Sequence, residues 1–111
     1  MLNIFPSTHP LVAHKLCLLR SKNTDPKKFR ELIREISTLL TYEATSDLIL
    51  YEIDVDTPLA TTKGKQLSEK ICLVPILRAG LGMVEGVWHL MPPAEVWHIG
   101  LYRDEHSLKP V

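Results

Sequence analysis

The stretch Ile71-Cys72-Leu73-Val74-Pro75-Ile76-Leu77-Arg78-Ala79-Gly80-Leu81-Gly82 decides how this chain is read. Its apolar run has the pattern of a buried strand, and it ends abruptly in an arginine followed by a glycine-bearing turn. A helix follows and is stopped by Met91-Pro92-Pro93, because a proline drives the residue before it out of helical geometry. A second apolar run, Val96-Trp97-His98-Ile99-Gly100-Leu101-Tyr102, also ends in an arginine, Arg103. The spacing predicts a β-α-β unit with strand 71–77, helix 81–91 and strand 95–102. A crossover helix returns the chain in the same direction, so Arg78 and Arg103 are expected at one edge of a parallel sheet. Open α/β sheets bind ligands at that edge.

Other features point to the same spot. Gly80 and Gly82 allow close backbone approach and permit positive φ. The following helix presents unpaired amides and the positive end of its dipole. Two guanidinium groups and a helix N-terminus suit a group with two or more negative charges. Each charge-assisted hydrogen bond contributes about 1.5–3 kcal/mol. Asp104 and Glu105 compete for Arg103 as salt-bridge partners.

Upstream, His9-Pro10 opens a mostly apolar helix ending near Ser21, with proline at the first helical position where its missing N–H costs nothing. Asn23-Thr24-Asp25-Pro26 is a stop and a new start, with Asp25 as cap. The second helix carries Phe29, Leu32, Ile33, Ile36, Leu39 and Leu40 at the spacing of one buried face, and is expected to run to Ala44 or Thr45. Tyr51-Glu52-Ile53-Asp54-Val55-Asp56 alternates as a half-exposed strand does. Thr57-Pro58 breaks it, Lys63-Gly64-Lys65 reads as a turn, and the chain returns through Gln66-Leu67. The segment is expected to be an irregular hairpin or arm, marginal alone and laid against a partner. The resulting organisation is a helical region at 1–50, a β-arm at 51–70 and a β-α-β unit at 71–111. Two parallel strands at the end leave sheet edges unpaired, as expected for the first half of a longer domain.

Composition narrows the chemistry. The 111 residues carry 13 basic and 13 acidic side chains, so no general affinity for nucleic acid or an anionic membrane is implied. No apolar run reaches membrane-spanning length, and the N-terminus lacks the layout of a secretory signal, which makes the cytoplasm the expected location. Cys17 and Cys72 read as small buried hydrophobes. Trp88 and Trp97 read as core. The histidines His9, His14, His89, His98 and His106 lack metal-ligand spacing, so no metal site is expected. Gly80, Gly82 and Gly86, with Asp104 further on, also suggest an NAD(P)-binding Rossmann half-domain. In that fingerprint, however, the third glycine would fall one position earlier than Gly86.

Five segments together resemble the uracil phosphoribosyltransferase family: His9-Pro10-Leu11-Val12-Ala13-His14-Lys15-Leu16, Phe29-Arg30-Glu31-Leu32, Leu40-Thr41-Tyr42-Glu43-Ala44-Thr45, Val74 to Met83, and Tyr102-Arg103-Asp104-Glu105. The resemblance covers the chain from His9 onward and corresponds to about the first half of the family's usual length. It implies a phosphoribosyltransferase-type, Rossmann-like α/β parallel sheet, truncated, preceded by two N-terminal helices and a β-arm. It implies a cytoplasmic pyrimidine-salvage enzyme that makes UMP and diphosphate from uracil and 5-phosphoribosyl 1-diphosphate. Arg78 and Arg103 would bind the phosphoribosyl diphosphate, Mg2+ would be carried by that diphosphate, and GTP would activate some members. The helices and arm would take part in homo-oligomer contacts, as a dimer or higher. Residues 1–111 contain neither the family's acidic-Thr-Gly-Gly phosphate loop nor its uracil-reading hood. The chain alone is therefore expected to be inactive, with no catalytic residue assigned to it. A non-catalytic interaction module is the remaining alternative.

Overall fold

Proline opens both N-terminal helices of the computed structural model, which describes residues 3–77, 80–97 and 99–100. Helix α1 spans Pro10–Arg20, and its N-terminus is capped by His9, whose Nδ1 accepts from the Leu11 amide at 3.1 Å. Helix α2 spans Pro26–Ala44, with Asp25 accepting from the Lys28 amide at 2.8 Å. The two helices are tied by Lys15 and Glu35, whose Nζ and Oε2 lie 2.8 Å apart.

The apolar period of α2 positions its inner face. Leu32 at its centre is 1% exposed, and Ile33, Ile36, Leu39 and Leu40 are half-buried. Phe29, expected on that face, is exposed because it lies in the first turn, beyond the packed part of the helix. Ser37 is buried instead. Its hydroxyl donates to the Ile33 carbonyl at 2.7 Å, so the buried oxygen is satisfied within the helix.

Ser37 is small because helix α3, Leu81–Leu90, passes over it. A Cβ on Gly86 of α3 would run into the Arg34 carbonyl oxygen and lie 3.1 Å from the Ser37 Cβ. The Thr38 hydroxyl donates to the Gly86 carbonyl at 3.0 Å across the same contact. With Val12 of α1 and Val84 of α3 also buried, the core is a seam among three helices.

Strands β1, Leu50–Asp56, and β2, Thr61–Leu67, form an antiparallel ribbon paired from Leu50↔Leu67 to Asp56↔Thr61. The ribbon is regular, not irregular, and the turn expected at Lys63-Gly64-Lys65 lies inside β2. Those lysines face Asp54 and Glu52 across the ladder, and Gly64 leaves room for Val55, whose Cγ2 would meet a Cβ there at 2.8 Å. The reversal occurs at Thr57–Ala60, where the Thr57 amide donates to the Ala60 carbonyl at 3.0 Å. Leu59 sits at this tip, 98% exposed.

The remaining strands are short: β3 Cys72–Leu73, β4 Ile76–Leu77, β5 Glu95–Val96 and β6 Ile99–Gly100. Strand β3 pairs with β5 and β4 with β6, both parallel, at Cys72↔Glu95, Leu73↔Val96, Ile76↔Ile99 and Leu77↔Gly100. The partner offset is the same at every pair, so these are two stretches of one strand pair. The gap between them follows from Pro75. The Glu95 and Trp97 amides donate to the Ile71 and Leu73 carbonyls at 3.2 and 2.8 Å. The next bond in a parallel ladder would come from the amide of residue 75, which proline lacks.

Candidate phosphate-binding edge

Chain geometry brings three pieces to the C-terminal edge of this strand pair. Leu77 and Gly100 are paired side by side, and α3 starts immediately after Gly80. Gly80 adopts φ −74°, ψ −11°, and its amide donates to the Ile76 carbonyl at 2.8 Å, folding the turn back onto the strand. A Cβ on Gly80 would lie 2.9 Å from the Ile76 amide nitrogen and 3.1 Å from the Pro75 Cβ. Neither Gly80 nor Gly82 uses the positive φ that glycine permits. The constraint is space, since Gly80 abuts its own strand and Gly82 lies against Ile33 of α2. Among the described residues no side chain caps the N-terminus of α3, whose positive end lies at this edge.

Arg78 and Arg103, with Asp104 and Glu105, lie outside the described residues, as do His98 and His106. Arg78 is bonded directly to Leu77, the last residue of β4. Arg103 follows Gly100, the register partner of Leu77, by three positions, a backbone reach of at most about 10 Å.

Gly86 is taken up by the α2–α3 crossing, which removes it from the dinucleotide fingerprint and leaves that reading without its third glycine. Cys17 and Cys72, expected to be buried, are both free and exposed. Trp88 and Trp97, expected in the core, are exposed as well. The Trp88 indole closes the helix-to-strand loop by donating to the Ala94 carbonyl at 3.0 Å, and the Trp97 indole reaches Glu95 at 3.3 Å. Among the described residues no three potential ligands converge on a metal position, and no helix is long and apolar enough to cross a membrane. One mostly apolar groove of about 470 Å³, touching Lys15, Arg34, Glu35 and His89, lies among the helices and not at the sheet edge.

A parallel strand–helix–strand unit preceded by two helices and an arm, with a turn and a helix N-terminus following the first strand, is a phosphoribosyltransferase-type α/β arrangement. The solved structure of the AQ2163 protein from Aquifex aeolicus matches it with a TM-score of 0.88 and 36% identity, over 96% of this chain and 52% of that one. Residues 6–111 match the family model described as uracil phosphoribosyltransferase, and the chain belongs to that family. A curated uracil phosphoribosyltransferase from Roseiflexus sp. strain RS-1 is 60% identical over all 111 residues, which is 53% of that protein. Another, from Clostridium botulinum strain Hall, is 59% identical over 104 residues, covering 93% of this chain and 50% of its own length. The chain thus spans about half the length of the curated relatives it matches.

Proposed function

We propose that this chain supplies the diphosphate-gripping half of a uracil phosphoribosyltransferase site, in an enzyme that converts uracil and 5-phosphoribosyl 1-diphosphate to UMP and diphosphate. The observation that carries the reading is the unchanged register through β3–β5 and β4–β6. It sets Leu77 and Gly100 side by side, directly before Arg78 and three positions before Arg103, close to the N-terminus of α3. Cations fixed there favour charge that builds on the diphosphate as the C–O bond to the ribose breaks, a stabilisation that grows toward the transition state. Uracil nitrogen bonds to the ribosyl carbon as diphosphate departs, and the nitrogen's proton passes to solvent. Magnesium enters on the diphosphate, and no described residue is assigned to hold it or GTP. The cytoplasm and a homo-oligomer built partly through the β1–β2 arm complete the proposal.

The test uses this chain joined to the second half of the Roseiflexus relative. Arg78→Ala and Arg103→Ala should each weaken phosphoribosyl diphosphate binding about 10- to 100-fold, the loss of one charge-assisted hydrogen bond. Uracil binding should change little. Unchanged phosphoribosyl diphosphate affinity in both variants would withdraw the arginine assignment. The 111-residue chain alone, given both substrates and magnesium, should make no UMP above blank.

A further inference from the structure

Helix α3 is held at two places where it carries no side chain. At its start Gly80 folds back onto β4, its amide donating to the Ile76 carbonyl at 2.8 Å. Farther along, Gly86 rests directly on the backbone of α2. A Cβ there would run into the Arg34 carbonyl oxygen and lie 3.0 Å from the Thr38 Oγ1. Between these two points, a Cβ on Gly82 would meet the Ile33 Cγ2 at 3.4 Å. Gly82 and Gly86 are four residues apart and share one side of α3, the side against Ile33, Arg34, Ser37 and Thr38 of α2. The two obstacles differ in kind. Ile33 offers the end of a side chain, which can turn aside. The Arg34 carbonyl belongs to the main chain of α2, itself tied to α1 through Lys15 and Glu35. A methyl at position 86 is therefore relieved by α3 moving away from α2. Helix α3 begins at Leu81, about 7.5 Å along its axis from Gly86, so a rigid helix passes that movement to the turn between β4 and α3.

We infer that Gly86, with Gly82, is a positioning residue for phosphoribosyl diphosphate. By letting the backbone of α2 come close, these glycines set where α3 begins, and with it the turn that follows Leu77 and contains Arg78. The inference rests on the reading of that edge proposed above, and it adds a residue more than one helical turn from the edge. A gripping group lowers a barrier only while it is held in place, and a misplacement of about 1 Å costs about 100-fold in rate. Gly80 leaves the turn no slack to absorb such a shift, since a Cβ there would already stand 2.9 Å from the Ile76 amide nitrogen. Movement of α3 is thus delivered to the site and not taken up on the way.

The test again uses this chain joined to the second half of the Roseiflexus relative. Gly86→Ala should lower kcat/KM for phosphoribosyl diphosphate about 100-fold while KM for uracil holds. Asp25→Ala is the control for lost stability alone. It removes the cap of α2, at the end of that helix away from Thr38, and should lower Tm with both constants unchanged. A second variant covers the case in which Gly86→Ala does not fold. Gly82→Val presses only on a movable side chain, so it should lose part of the same kcat/KM, and Ile33→Ala in the same chain should restore it. A ligand blocked directly by the new valine would gain nothing from space opened behind the helix. Gly86→Ala with a lowered Tm but unchanged kcat/KM overturns the inference. So does a fall in kcat with both KM values unchanged, which reports only less folded enzyme, and so does a Gly82→Val loss that Ile33→Ala leaves in place. Failure of the underlying reading looks different: the parent would bind no phosphoribosyl diphosphate, or Arg78→Ala and Arg103→Ala would leave its affinity unchanged, and both proposals would then be withdrawn.

Discussion

Gly86 and Ser37 meet where α2 and α3 approach most closely, and neither position tolerates much change. Gly86→Ala sets a methyl against the Arg34 carbonyl oxygen, and forced overpacking of this kind costs about 1–3 kcal/mol. A lowered urea midpoint with helix content intact at zero denaturant would show it. Lys15 and Glu35 are a gentler case. The hydrogen bond from Lys15 is the main cause holding the Glu35 carboxyl below its usual range, helped by the Lys15, Lys28 and Arg34 charges and opposed by partial burial. A depressed carboxyl stabilises the folded state fully above its unfolded pKa, and loses that contribution as pH falls through the lower folded value. Glu35 is more than a third exposed, so the effect is small, about 0.5 kcal/mol or less. Glu35→Gln should be slightly less stable than the parent at neutral pH. The gap should close in acid, below the ordinary carboxylate range, and a gap that persists there would assign the loss to packing.

The elements differ in how plainly the sequence announces them. Helix α2 was legible to the residue at its start, because Asp25 and Pro26 act locally. The arm was legible as two strands, but its turn was misplaced. Lys-Gly-Lys is a turn signal only until Asp54 and Glu52 are seen opposite, with Lys63 paired to Asp54 across the ladder. Buried Ser37 was hidden, since its only sign is that a glycine on another helix needs the space. Cys17, Cys72, Trp88 and Trp97 were misread because apolar character tells what a side chain prefers, not whether this stretch of chain supplies the cover. Arg78 and Arg103 were singled out from their place after two apolar runs, and they lie outside the described residues. At this scale the charge ladder is testable. Replacing both Lys63 and Lys65 by Glu sets like charges across from Asp54 and Glu52, at about 0.2–1 kcal/mol per pair. Amide exchange in β1 and β2 should quicken severalfold at low salt, and the difference should narrow as salt is raised. Unaltered exchange would mean that the backbone ladder holds the arm without them.

Taken whole, the chain is drawn out. Its radius of gyration is 18.4 Å and its extents are 64 × 32 × 32 Å, whereas a compact chain of this length has a radius of about 13 Å. Among the described residues few apolar side chains are buried, chiefly Val12, Leu32, Pro75 and Val84. Little surface is then lost on folding, so urea should unfold the isolated chain with a shallow slope, while fusion to the second half of the Roseiflexus relative should steepen it. An equal slope in both would show that the isolated chain already buries its share. The bare hairpin tip adds a consequence of another kind. Leu59 stands clear at the far end of a seven-pair ribbon, held by a short turn and little else. A protease that cuts after large apolar residues meets this bond early, as exposed loop tips are its preferred targets. The nick would leave both pieces clasped by the ladder, so the chain would migrate intact on a native gel and come apart only in detergent.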